Sequence, residues 1–83
     1  MDVLDVFHDY NGHSIEWGNA TWDPADSSIR NRYDDVVTGR FNKAGSSEVP
    51  WDDFKLMLKQ SIIKKKFNNA ELADVLRDIA NVI

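Results

Sequence analysis

The chain has 83 residues, 14 acids against 10 bases for a formal charge of −4, and no cysteine. That length makes one domain, residues 1 to 83, with a modest core, since a chain this short buries only about 60% of its unfolded surface. The missing cysteines exclude a disulfide framework, a thiolate nucleophile, an iron–sulfur site and a cysteine-ligated zinc, and the mild acidity gives no purchase on nucleic acid or anionic membrane.

The opening MDVLDVFHDY has neither a basic segment nor a long apolar stretch, and no run of the sequence reaches the ~20 apolar residues of a membrane span. A cytoplasmic location is the expectation. Asn11-Gly12 is a preferred two-residue hairpin turn, which requires positive φ at both residues, and it pairs residues 3 to 10 with 13 to 18. With Tyr10 opposite His13, alternation puts Leu4, Val6, His8, Tyr10, His13, Ile15 and Trp17 on one face. Phe7 and Val3 break the pattern. The competing reading is a first helix, capped by Asp2 and ended by Gly12, which would make the whole chain an all-α four-helix bundle.

From Asp23 the apolar spacing changes. Asp23 suits an N-cap, Pro24 the first helical position, and Ile29, Tyr33, Val36 and Val37 recur at helical intervals, so a helix is predicted, with Arg30 and Asp34 paired on its exposed side. Gly39 ends it in a left-handed conformation, and Phe41 folds back on its last turn. Residues 43 to 49, KAGSSEV, read as a polar linker.

Pro50 to Phe67, PWDDFKLMLKQSIIKKKF, is the most informative stretch. At about 100° per residue, Trp51, Phe54, Met57, Leu58 and Ile62 fall on one face, and Leu56, Ile63 and Phe67 on another, with Lys55, Lys59 and Lys66 between them. Such a helix is either central in its own fold or shows one stripe to a partner. The second stripe is taken as the candidate contact. Asn68 and Asn69 then offer an N-cap for a helix over Ala70 to Ile83, with Leu72, Val75, Leu76, Ile79 and Ile83 inside and Glu71, Asp74, Arg77, Asp78 and Asn81 outside. The predicted fold is α+β, an N-terminal β-hairpin packed on three α-helices.

Candidate chemistry is sparse. His8, Asp9, His13 and Glu16 are the metal-ligand types, but the hairpin that brings the histidines together sends the carboxylates to the opposite face, so no metal is assigned. The four glycines are scattered, and neither a phosphate-binding loop nor a nucleophile motif occurs. No cofactor and no catalytic residue are therefore expected. Two helices around a short turn, with Lys64, Lys65 and Lys66 beside it, have the outline of a helix-turn-helix nucleic-acid reader, but the acidic outer face of the last helix would repel phosphate. The aromatic supply is generous, and Trp22, beside the Asp23-Pro24 corner, is the ring hardest to place inside. The expected function is protein binding without catalysis. A small regulator or inhibitor, of the kind common among phage and mobile-element proteins, would occupy a partner protein's surface through Trp22, Leu56, Ile63 and Phe67, with a homodimer as one form that contact could take.

Overall fold

A computed structural model describes all residues, Met1 to Ile83. Its elements are β1 (Asp2–Tyr10), β2 (His13–Asn19), β3 (Ser27–Tyr33), β4 (Ser47–Pro50), α1 (Trp51–Ile63) and α2 (Asn69–Val82). The strands form one antiparallel sheet in the order β1-β2-β3-β4, so the class is α+β and the four-helix alternative is ruled out. There are two helices and not three.

The N-terminal hairpin is present with Tyr10 opposite His13. Its turn differs from the expected form, because Gly12 has φ +81° while Asn11 stays at negative φ. Register shifts around Leu4 and Asp9 also break the simple alternation: Val6 and His8 lie opposite Glu16 and Ser14, while Phe7 and Tyr10 lie opposite Ile15 and His13. Each bulge moves the residues beyond it to the other face. Phe7, which spoiled the alternation in the sequence, thereby joins the apolar row. At the first bulge Gly18 has a steric role, since a Cβ there would stand 1.9 Å from the Asp2 carbonyl oxygen.

The predicted helix after Asp23 is instead a turn followed by β3. The residues that read as helical, Ile29 and Tyr33, alternate with Arg30 and Arg32 along the strand, and Val36 and Val37 are exposed in the next turn. There the Asp35 carboxylate accepts from the Val37 and Thr38 N–H groups at 2.8 Å each, which holds its pKa below the ordinary value. Gly39 is left-handed as expected, with φ +73°, but it closes this turn and caps no helix. Arg30 does not pair with Asp34. It reaches Glu16 on β2. The supposed linker supplies β4.

The change from helix to strand at β3 has a physical cause. Ser14, Glu16, Gly18, Ala20 and Ser28 are the only buried residues, and they bring a polar side of the sheet together. Glu16, 4% exposed, takes Arg30 Nη2 at 2.6 Å and Arg32 Nη1 at 3.4 Å, while Arg32 Nε donates to Asp34 at 2.9 Å. The Phe41 ring, tied in by a bridge between Asp34 and Phe41, lies 4.7 and 4.4 Å from the two guanidinium carbons. Next to it, Glu48 accepts from the Thr21 hydroxyl at 2.6 Å, the Thr21 N–H at 2.9 Å and the Ser28 hydroxyl at 2.9 Å. Burial pushes the Glu48 pKa up, yet these donors and the N-terminal ammonium together hold it below the ordinary value. No buried side-chain polar atom lacks a partner, so this side of the sheet carries little of the usual penalty for polar burial.

The helix from Pro50 begins as predicted and ends at Ile63, four residues short of Phe67. Lys65 adopts φ +58°, and its N–H bonds the Ile62 carbonyl at 3.1 Å while that of Lys66 bonds Ser61 at 2.9 Å. This is the Schellman ending that glycine ordinarily occupies. The lysine triplet therefore caps the helix from outside it. The Asn68 and Glu71 side chains cap α2 reciprocally at 2.9 Å each, as the two asparagines suggested.

Two outcomes test this account. Glu16→Ala leaves two arginines side by side without their carboxylate and should cost about 3 kcal/mol, enough to unfold much of so small a domain, in a chemical denaturation measurement. Lys65→Gly should raise stability of the helix ending by about 0.5 to 1 kcal/mol, read as higher helical ellipticity on warming, because the strained left-handed residue is relieved.

Candidate functional site

The apolar residues that would normally make a core lie on the outside. The helix stripe expected to be internal is only partly covered: Trp51 and Phe54 are half-buried and stack with centroids 5.2 Å apart, while Leu58 and Ile62 are each 38% exposed. No residue of α1 or α2 is buried, so neither stripe of α1 is a core. Leu56 and Ile63 on the second stripe are 57% and 58% exposed. Phe67 is half-buried in the connection to α2. Trp22 stands in the turn before β3, about half exposed, its indole N–H donating to Asp26 at 3.1 Å. The structure thus puts Leu56 and Ile63 on one stripe of α1 and places Trp22 in a different part of the chain.

Sequence reasoning underrated α2 as part of this surface. Leu72 and Val75 are half-buried, and Leu76, Ile79, Val82 and Ile83 are exposed, although their spacing is that of an inward helix face. The helix period was legible; what was absent from the sequence was anything for that face to pack on. α1 lies against β3 and β4, but α1 and α2 make no extended contact with each other, and α2 makes none with the sheet. The radius of gyration is 14.8 Å, where about 12 Å is expected for a compact chain of this length. The accessible surface is 6512 Å², whereas about 5,000 Å² is expected for a folded monomer of this mass.

A second exposed feature lies along the hairpin. The His13 ring sits between Tyr10 and Tyr33, with centroids 4.9 and 4.8 Å away. Its Nδ1 is 2.9 Å from Asp9 Oδ2 and its Nε2 is 2.6 Å from Asn31 Oδ1. Acceptors at both nitrogens favour the doubly protonated ring, and the hydrogen bonds it donates to Asn31 and then to Asp9 raise its pKa above 6.5. The expected sharing of a face by His8 and His13 is not found, because the bulge at Asp9 turns His8 to the side of Ser14. Glu16 is held by the arginines. The His8, Asp9, His13 and Glu16 set is therefore dispersed, and no cluster of three metal-ligating side chains occurs.

The surface depressions are shallow. The largest, about 400 Å³, lies where the Ala25–Ser27 turn meets the start of α1 and is lined by Asp26, Asp52 and Asp53. Asp26 is engaged by Trp22 and Asp52 by Lys55. A smaller one lies between Leu4, Trp17 and Trp51. Neither brings a nucleophile and a base together. No helix is long and apolar enough to cross a membrane. No protein-family model matches the sequence, and no curated protein and no solved structure matches it either.

The histidine arrangement has a pH consequence. A folded-state pKa above the unfolded value makes the stabilisation by His13 fully present below about pH 6.5 and lost as pH rises through the raised folded value. The ring protons of His13 should titrate with a midpoint above 6.5 by NMR. Asp9→Asn should lower that midpoint, and an unchanged midpoint would show that the carboxylate does not act on the ring.

Proposed function

We propose that this chain is a small non-catalytic protein-binding module, a cytoplasmic regulator or inhibitor that acts by occupying the surface of a partner protein. The observation that carries the reading is the surface excess of about 1,500 Å² over a compact monomer, which coincides with apolar helix faces that nothing in the chain covers. Large apolar side chains left uncovered along a helix face mark interaction sites. Leu56, Ile63 and Phe67, together with Leu76 and Ile79 on the separate face of α2, provide the main contact, and Trp22 provides a separate aromatic anchor of the kind that dominates interface energetics.

A nucleic-acid reading of the two helices finds less support. The outer face of α2 carries Glu71, Asp74 and Asp78, and its one arginine, Arg77, is already paired with Asp74. A recognition helix needs free donors for base edges. Lys64, Lys65 and Lys66 remain as a basic spot beside the turn, but one spot gives only salt-sensitive, non-specific attraction.

Ile63→Asp separates folding from binding. Because Ile63 is more than half exposed, the charge should change the melting midpoint of the free chain by no more than that of a surface substitution, within about 0.5 kcal/mol. Burying that charge in an interface is costly. Capture of the chain's partner, compared between tagged wild type and variant and identified by mass spectrometry, should fall at least tenfold. Unfolding by Ile63→Asp, or undiminished capture, would remove the reading.

A further inference from the structure

Resting on that binding reading, we propose that the occupant of the α1–α2 surface is a second copy of this chain, in a two-fold dimer where α2 of each copy packs on α1 of the other. The area fits. One partner's share of a stable interface is about 800 Å², and a chain exposing about 1,500 Å² more total surface than a compact monomer, with no buried residue on either helix, has room for a contact of that size.

The helix patterns fit as well. Leu72, Val75, Ile79 and Val82 recur at the alternating three- and four-residue spacing of a two-helix seam, a pattern that requires another helix to receive it. At 14 residues, α2 is at the length where an isolated helix is marginal in water. It has the capping box but no extended packing within its own chain. The helix available in a second copy is α1, with its open Leu56–Ile63 stripe.

Charge selects this pairing over the like-with-like alternatives. On a helical projection, Asp52 and Lys59 lie on one flank of the Leu56–Ile63 stripe of α1; Asp52 is paired with Lys55, and Lys59 makes no ion pair within the chain. Glu71 and Asp78 lie beside the α2 stripe in the same projection. α1 on α1 would set the unpaired Lys59 of the two copies on matching flanks, and α2 on α2 would set carboxylate rims together. α2 on α1 sets opposite charges together, and a two-fold axis repeats that contact reciprocally. The competing route to a dimer, sheet extension through the β1 edge, is opposed by two register irregularities and by Asp2, Asp5 and Asp9 along that strand, devices that block edge pairing.

The test is the solution mass of the full chain by light scattering, from ~1 to ~100 µM, a range in which an interface of this area should be populated. The expected mass is about twice 9.5 kDa, reached at the upper end of the range. Leu76→Asp, at a position 67% exposed in the single chain, should weaken association at least a hundredfold and return the mass to that of one chain. Lys59→Glu should weaken it more modestly, and adding Asp78→Lys to the same chain should restore it. If Leu76→Asp loses its sheet signal, the wild-type mass and intermolecular NOEs between labelled and unlabelled copies decide instead. A wild-type chain that stays at one mass at ~100 µM, above the dissociation range of such an interface, overturns the second copy. If Ile63→Asp still abolishes capture of a different protein, the binding function stands and only the second copy falls. With neither dimer nor Ile63-dependent capture, both fall.

Discussion

The fold depends on one buried carboxylate. Glu16 sits in the middle strand pair, where it is matched by Arg30 across β2 and β3 and by Arg32 one pleat further on, with Phe41 covering both guanidiniums. A carboxylate so placed is costly to desolvate, and the pair is tolerable because every donor and acceptor finds a partner and the ring keeps water away. The same side is completed by Glu48 with Thr21 and Ser28, and the N-terminal ammonium donates to Thr21 at 2.7 Å, so the start of β1 is tied to the far edge of the sheet. Polar satisfaction organises this side of the sheet, and the register of β2, β3 and β4 follows from it.

This is also why β3 was not legible as a strand. Ser27 to Tyr33 alternates, but what it alternates is serine and arginine against isoleucine, asparagine and tyrosine. An inward arginine reads as solvent-facing until the glutamate that receives it is known to lie fourteen residues earlier. Ile29 and Tyr33, with the two valines that follow, supplied a helical spacing with an Asp-Pro start, and local pattern favoured the wrong period. The features set by short-range chemistry were readable. The Asn11-Gly12 turn, Pro50 at the entry of α1 and Asn68 at the cap of α2 each involve residues within a few positions of one another. The bulges at Leu4 and Asp9 depend on cross-strand geometry and on Gly18, and nothing in a single strand announces them.

The candidate surface was partly readable for the same reason. Two apolar stripes on α1 could be counted from the sequence, and assigning one to a core was the natural choice, since small domains ordinarily bury what they can. The polar network removes that need. With one side of the sheet closed by ion pairs and hydrogen bonds, α1 lies against β3 and β4 with only Trp51 and Phe54 of its apolar residues half-buried, and most of the other apolar groups of the two helices stay exposed.

Leaving that surface uncovered has an energetic consequence. At roughly 25 cal/mol per Å² of apolar area, every ~400 Å² of apolar helix surface left uncovered represents about 10 kcal/mol of unrealised stabilisation, comparable to the whole stability of an ordinary domain. A sheet held by satisfied polar groups supplies specificity of register but little surplus of its own, because each hydrogen bond only replaces one made to water. The helices carry the apolar area and the sheet carries the geometry. Covering the helix pair with a partner would add the term that the isolated chain lacks, so association and the ordering of α2 would be coupled, and the affinity of the contact would be reduced by what that ordering costs. The capping box and the left-handed Lys65 reduce that cost by setting the end of α1 and the start of α2 before any partner arrives.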